Sequence, residues 1–450
     1  MASGEPILRK QVVAALKSAS AETLKSAQPV IDSLEKDGTI SNSEIFWIVN
    51  GFSCVTNRAG IKKISEDIPG VRKVFFSGAA NVRFPGMGGG AVVNRQPTEK
   101  ETTSPPFDPD AHEPLWFIKK LKVDQVWKEL KVTGKGSLNV VHDGNFVLSK
   151  WTESSLYQNP NETLNGEDDD GNGLVDDIHG YDFARGTFDL TRMQIPKGKN
   201  QRFNPGPILH GHQCAGIICG RASEDYPVQP GLAPESKWAG VLASRKIELA
   251  VQWAVEHGAD TYSMSFSRPN MADARSHWRK IMEHGAFCGI HFVSGAGNFA
   301  MKGSPSFAPI PVQMRVPEDI PNAVFAAAGV QRDLSRTPFS SQGPVEWKTE
   351  HYQDGRVEKP EVCAFNFQIP LLHPAGGKPT RFANGNSFAG PMFCGTIALM
   401  LSANPELKPW ETREIIIKTA TDIAEPGFDG QTGHGLINAF EAVKMAIGRK

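Results

Sequence analysis

No Cys-x-x-Cys pair occurs among the six cysteines, which stand at positions 54, 214, 219, 288, 363 and 394. Their spacing excludes the common zinc and thiol-redox motifs. A disulfide framework does not suit a chain of 450 residues, because such frameworks serve domains too small to build a core. Most of the cysteines sit in apolar runs such as FSCV, GIICG and MFCGT, and read as buried thiols acting as small hydrophobes. Charge of one sign is also lacking: 48 Lys and Arg against 49 Asp and Glu leave a net charge of -1. No nucleic-acid or membrane-surface partner is therefore indicated. No apolar run is long enough to span a bilayer, and no internal repeat is visible. The first residues, MASGEPILRKQVVAAL, lack the charged-then-apolar order of a secretory signal. A cytosolic start and a start from which a signal was removed both stay open. What is present is ordinary for a soluble globular chain, with 40% apolar and 22% charged residues and length for two or three domains.

The pattern along the chain divides it in three. Residues 1–82 read as a small α+β domain. In SAETLKSAQPVIDSLEKDG, residues Leu24, Val30, Ile31 and Leu34 recur at helical spacing. IFWIVNGFSCV (45–55) reads as a strand or hairpin, NRAGIKKISED (57–67) as a short helix, and GVRKVFF (70–76) as a further strand. Residues 83–112 are rich in Gly, Pro, Ser and Thr and read as an exposed linker. From 113 to 450, apolar strands alternate with helices. Strands are expected at 137–142, 237–242, 260–266, 287–294, 323–330 and 359–364, and helices at 212–220, 246–257, 273–285, 387–403 and 410–420. Such alternation predicts an α/β fold, a mostly parallel sheet with helices on both faces. Reactive groups in such sheets gather at the carboxyl ends of strands.

Three segments place chemistry at those ends. LNVVHDGNF (138–146) is an apolar strand that delivers Asp143 into a turn. LHGHQCAGIICG (209–220) opens a helix with His210. ANGNSFAGPMFCG (383–395) sets Ser387 among small residues before a buried helix. A serine nucleophile needs a base within hydrogen-bond reach and a carboxylate to hold the base's tautomer. Asp…His…Ser is the chain order of the subtilisin arrangement. A fourth segment, GIHFVSGAGNFAM (289–301), ends a strand in Asn298. Its side-chain amide, with the Ser387 N–H, has the makings of an oxyanion hole. The bland alternatives are Ser387 as a helix cap, Asn298 as a turn residue, and a metal pair of His210 and His212 with His142 and Asp143 nearby. The last lacks the i,i+4 histidine pair of zinc proteases. Pro391 is expected in the first helical turn, where its missing N–H costs little. His284 and His434 read as structural.

On these residues the stretch from about 113 to 445 resembles the subtilisin-like serine proteases (subtilases). GNSFAGP is similar to the family's Gly-Thr-Ser-Met-Ala-Ala-Pro motif, HGHQCAG to His-Gly-Thr-His-Val-Ala-Gly, VVHDGNF to the aspartate motif, and GAGN to the oxyanion segment. LAPESKWAGV (232–241), TPFSSQGP (337–344) and GHGLINAFEAV (433–443) are similar to further landmarks. The departures are Asp-Gly-Asn in the aspartate motif, Gln213 for the second histidine, and Asn386 and Gly390 around the serine. The resemblance implies Asp143, His210 and Ser387 as a triad with Asn298 in the oxyanion hole. It implies a substrate pocket walled by 263–267 and 294–297, with Ser265, Phe266, Ser267, Gly295, Ala296 and Gly297. No carboxylate lies in either segment, which argues against basic substrate residues and for neutral or apolar ones. Residues 1–82 resemble the inhibitory propeptides of the family. That implies a self-inhibited zymogen processed between about 77 and 112, acting on protein or peptide substrates. The alternative is a catalytically silent or permanently inhibited homologue that binds or regulates.

One loop has its own signature. NGEDDDGNGLVDDIHGYDF (165–183) places Asp168, Asp170, Asn172, Gly173, Leu174 and Asp176 at positions 1, 3, 5, 6, 7 and 9 of an EF-hand-type calcium loop, with Asp177 following. Position 12 is His179, so the bidentate glutamate is missing. Carboxylates this close repel one another without a counterion. Structural Ca2+ is expected, and some subtilases carry a similar insert.

Overall fold

A computed structural model describes residues 7–75, 106–144, 146–190, 209–243, 246–269, 271–300, 313–374 and 376–449. Much of the 83–112 linker and of the expected processing region lies outside them.

The N-terminal unit opens with a helix longer than its sequence pattern suggested, α1 (Ile7–Lys36). The 45–55 stretch resolves as part of a hairpin. β1 (Ile40–Phe46) pairs antiparallel with β2 (Gly51–Thr56) around a turn at 47–50. Helix α2 (Arg58–Asp67) is capped by the Asn57 side chain, which accepts from the Ala59 and Gly60 N–H groups. Ala27, Ile31, Leu34, Ile40, Ile64 and Ile68 form a small core of their own. Residues 71–75 carry no strand, contrary to expectation. Val71 there packs on the small core and Lys73 reaches Glu350 of the larger unit at 2.6 Å.

In that larger unit seven strands form one sheet. They are β3 (Leu138–His142), β4 (Gly180–Asp182), β5 (Lys237–Leu242), β6 (Thr261–Met264), β7 (His291–Gly295), β8 (Val324–Val330) and β9 (Val362–Phe365). Their spatial order is β9-β8-β7-β6-β3-β5-β4, and every pairing is parallel. LNVVH, TYSM and VFAAAGV are buried at every position, as strands covered on both faces must be. β4 was not anticipated. It fits the sheet edge because Gly180, at φ +116°, lies where a Cβ would stand 1.8 Å from the Gly240 carbonyl oxygen.

The helices that position the site are α3 (His210–Cys219), α4 (Ile247–Glu256), α5 (Ala274–Phe287) and α6 (Asn386–Ala403), followed by α7 (Pro409–Thr419) and α8 (Ala439–Ile447). Almost every residue of α6 is buried. It packs over β6 to β9 and against α3 and α8. β3 sits inside the sheet with β5 on one side and β6 on the other. The chain thus reverses direction of travel beside β3, and ligands bind at such a switch point. Among the described residues no helix is long and apolar enough to cross a membrane.

The N-terminal unit lies on α4 and α5. Arg9 is 5% exposed and donates to the carbonyls of Cys288 and Ala259, both at 2.7 Å. Ile48 donates its N–H to Gln252 Oε1 at 3.3 Å, and its carbonyl meets His284 Nδ1. Lys17 pairs with Glu256 at 2.6 Å, and Lys246 pairs with Glu44.

Candidate active site

Asp143 is the first residue beyond β3. Its N–H donates to the Val241 carbonyl at 3.1 Å, so the strand's own pairing carries the carboxylate to the edge of the sheet. Oδ1 accepts the Gly144 N–H at 2.7 Å, and Oδ2 lies 2.6 Å from His210 Nδ1. His210 is the first residue of α3. The Gly211 N–H donates to the Gly144 carbonyl at 2.9 Å, tying the helix start to the turn after Asp143. Only glycine fits there: a Cβ on Gly211 would stand 2.7 Å from both that carbonyl oxygen and the Phe146 ring. Burial alone would lower the His210 pKa. The Asp143 charge and hydrogen bond, together with the neighbouring Cys214, outweigh it and hold the imidazole well above its ordinary value. Cys214, one turn along α3, sets its buried thiol 3.7 Å from Asp143 Oδ2 and 3.6 Å from the Ser387 carbonyl. Its sequence context suggested only core packing, and Cys394 does keep to the core, beside Thr261.

Ser387 is the second residue of α6. The cap position belongs to Gly385, which makes no side-chain cap bond, so Ser387 is not the capping serine. Pro391 lies inside α6, one turn beyond Ser387, and not in its first turn. It therefore deprives the Ser387 carbonyl of the usual i+4 donor, and Ser265 Oγ supplies a replacement at 3.0 Å. The Ser387 hydroxyl itself donates to the Ser265 carbonyl at 3.4 Å.

Asn298 stands three residues past the end of β7. Its Oδ1 accepts the Asn386 N–H at 2.9 Å, which leaves Nδ2 free to face the cleft. A Cβ built on Gly385 would lie 3.7 Å from Asn298 Nδ2, and 3.9 Å from both the Ser387 N and Oγ. The space above Gly385 is thus ringed by two donors and the hydroxyl. Asn386 anchors this corner. It is 1% exposed, its Nδ2 donates to the Gly297 carbonyl at 2.6 Å, and its Oδ1 accepts from Asn366 Nδ2 at 2.6 Å. In the sequence Asn386 figured only as a departure from a motif. Its role depends on Asn366 and Gly297, which no local pattern joins to it.

A cleft of about 130 Å3 adjoins Ser387, lined by Ser265, Phe266, Ser267, Gly295, Gly297, Asn298, Phe299, Asn386 and Ser387. Five of the six expected pocket residues are among them. Ala296 is the exception: it is fully buried, its N–H donating to the Ala327 carbonyl at 2.8 Å. Extended chain alternates its sides, and this residue faces the core. Phe299 was missed, and Glu318, absent from both wall segments, lies directly behind Ser267 and Gly297.

The metal-pair alternative fails on geometry. Asp143, His210 and Cys214 cluster, without His142 or His212. His142 and His212 are buried, and burial pushes their pKa values down to about 3 and about 4. His142 is held by Tyr262 Oη at 3.0 Å.

The acidic loop is partly rearranged from its expected ligand set. Glu162, Asp168 and Asp170 converge, as do Asp170, Asp177 and His257, each group within 4.8 Å. Glu162 and His257 come from outside the loop. Asp176 turns away and accepts the N–H groups of Asn165 and Gly166 at 2.9 and 3.0 Å. Leu174 is tied by its N–H to Asn172 Oδ1 at 2.8 Å, and Asn172 Nδ2 donates to Asp177 at 3.0 Å. Glu162 Oε2 is buried with no hydrogen-bond partner among the described residues. An orphaned carboxylate oxygen in an all-oxygen cluster fits a hard cation such as Ca2+.

Known proteins resemble this chain over much of its length. A calcium-dependent protease from a Nostoc species is 26% identical over 282 residues, covering 53% of this chain and 40% of the relative. The chain thus spans well under two thirds of that protein's length. Subtilisin DY from Bacillus licheniformis is 26% identical over 254 residues, covering 54% of this chain and 81% of the relative. The crystal structure of MycP1 with its N-terminal propeptide removed superposes with a TM-score of 0.50 at 20% identity, over 74% of this chain and 98% of that one. It shares the fold. The family model described as the subtilase family matches residues 191–435, a range that holds His210, Asn298 and Ser387. Asp143 precedes the matched range, and its place rests on the 2.6 Å bond to His210. That range is more than half of the 450 residues, and the chain belongs to the subtilase family.

Proposed function

We propose that this chain is a serine endopeptidase made as a self-inhibited zymogen. The observation that carries the reading is the Asp143–His210 bond of 2.6 Å beside a cleft that contains Ser387 and Asn298. His210 Nε2 takes the Ser387 proton as Oγ attacks the scissile carbonyl. Asp143 keeps the proton on Nδ1 and stabilises the imidazolium. Asn298 Nδ2 and the Ser387 N–H receive the oxyanion above Gly385. His210 then protonates the leaving amine, and water, activated by the same imidazole, releases the acyl group. Residues 1–82 act as the inhibitory segment, with their described part seated on α4 and α5. Glu162, Asp168 and Asp170 would hold a structural Ca2+, with Asp177 beside them through Asp170, and the ion would supply counter-charge to the loop and no part of the chemistry.

A labelled fluorophosphonate tests the reading. It modifies Ser387 in the wild-type chain and not in Ser387→Ala. Incubation with calcium and N-terminal sequencing of the fragments tests self-processing, with a cut expected between 77 and 112. A second reading, a silent homologue that binds without cutting, draws on the Ser387 hydroxyl facing the Ser265 carbonyl. It predicts no labelling even after the N-terminal unit is removed.

A further inference from the structure

Ser267 and Gly297 line the cleft beside Ser387. Glu318, from the segment before β8, is fully buried behind both. Ser267 Oγ donates to Glu318 Oε1 at 2.5 Å, and a Cβ on Gly297 would stand 2.9 Å from that same oxygen. The Arg315 N–H donates to it at 3.2 Å. Glu318 Oε2 is buried with no hydrogen-bond partner among the described residues. The next residue, Asp319, turns to Arg275 at 2.8 Å. A carboxyl in this position needs a reason, because burying one with an unsatisfied oxygen is unfavourable.

The reason lies in what Glu318 does to Ser267. A serine hydroxyl has one proton, and this one is committed to Glu318. Only the oxygen lone pairs are left for the cleft. That holds whether Glu318 is ionised or carries its proton on Oε2. The floor is therefore an acceptor. The walls are Phe266 and Phe299, whose rings already hold guanidinium groups, Arg268 at 6.0 Å and Arg315 at 5.3 Å. Aromatic faces attract cations. These two arginines oppose a third positive charge, so discrimination comes chiefly from the hydrogen bond at the floor.

We propose that Ser267, with Glu318 as its positioning residue, selects a substrate side chain that ends in a hydrogen-bond donor, a lysine or arginine just before the cut bond. The proposal rests on the serine-endopeptidase reading. It reverses the sequence-based expectation of a neutral or apolar preference, because the carboxyl arrives from a third segment.

The test uses the full chain, first incubated with calcium so that it processes itself, and two peptidyl diphenyl phosphonates that differ only in ending on lysine or on norleucine. The pair has equal length and exchanges an ammonium for a methyl. The rate of Ser387 modification is followed by mass spectrometry. Lysine is expected to react at least about tenfold faster, since a site built to bond a donor rejects the analogue that lacks it. In Ser267→Ala and Glu318→Met the ratio falls toward one. In Glu318→Gln, whose carbonyl still accepts from Ser267, most of the ratio is retained. Damage to the fold slows both probes and leaves their ratio intact. A wild-type ratio of one or less overturns the proposal, as does a ratio unchanged in both Ser267→Ala and Glu318→Met. If neither probe nor a fluorophosphonate modifies Ser387, even after the N-terminal unit is removed, the endopeptidase reading itself falls, and this proposal with it.

Discussion

Replacing Asp143 with asparagine isolates what the carboxylate does. Asp143 Oδ1 accepts the Gly144 N–H at 2.7 Å, and an asparagine carbonyl keeps that bond, so the turn survives. The same constraint points the new NH2 at His210 Nδ1, where Oδ2 stood at 2.6 Å. An amide NH2 only donates. Nδ1 must then accept, and the ring proton moves to Nε2, the nitrogen required to take the Ser387 proton. The charge is lost as well. A carboxylate and an imidazolium about 4 Å apart, in a site of effective dielectric about 20, attract by about 4 kcal/mol. That is worth roughly 10³ in rate, and the tautomer error brings the loss toward about 10⁴. The pH profile moves too. Asp143 holds the His210 pKa high against burial. Wild-type reactivity therefore falls as pH drops through that raised value. In Asp143→Asn the largest influence opposing burial is gone, and the midpoint shifts to lower pH. The assay is the second-order rate of fluorophosphonate labelling across pH, with a thermal melt as the fold check. A loss under tenfold in a folded variant, or an unmoved midpoint, would refute the reasoning.

Gly385→Ala places a methyl 3.7 Å from Asn298 Nδ2 and 3.9 Å from Ser387 N, on a backbone at φ 155°, ψ 145°. Labelling should slow by about 10² or more, as when an oxyanion donor is lost, and a rate within threefold of wild type would be a contrary result. EDTA should lower Tm by removing calcium from the Glu162 cluster, and Glu162→Gln should shrink that difference. An identical melting curve with and without chelator, together with no calcium by mass analysis, counts against the site. Burial raises Glu318 from 4.5 to about 8, so the folded chain keeps a proton that the unfolded chain releases between those values. Stability is lost as pH rises across that window, by roughly 4–5 kcal/mol at about 1.4 kcal/mol per unit. Glu318→Gln should therefore gain Tm over the parent between pH 6 and pH 9, and a constant difference would contradict the assignment.

Local chemistry written in the sequence was enough to put the candidate groups on their elements. A strand followed by Asp143, a helix opening with His210, a strand ending near Asn298 and a buried helix beginning at Asn386-Ser387 are short-range patterns. Each survives folding because hydrophobic periodicity and glycine punctuation act within a few residues. The alternation of apolar strands and helices likewise implied the parallel sheet. The N-terminal hairpin was legible for the same reason, whereas the strand expected at 70–76 is not realised over 71–75, where Lys73 pairs with Glu350, far along the chain.

Long-range approach decided the rest. No spacing rule joins Asp143 to His210 at 2.6 Å, and that bond exists because the end of β3 meets the start of α3 at the carboxyl edge of the sheet. Pro391 reads alone as a harmless first-turn residue, and only the packed helix shows that it strips the Ser387 carbonyl of its donor and that Ser265 replaces it. Glu162 joins the acidic loop, and Glu318 stands behind Ser267 at the cleft, from segments whose own sequences carry no sign of either position. Sequence determines which groups are available and on which elements they stand. Which of them share a dielectric, a proton or an ion is settled by contacts between residues far apart in the chain, and these form only when the core closes.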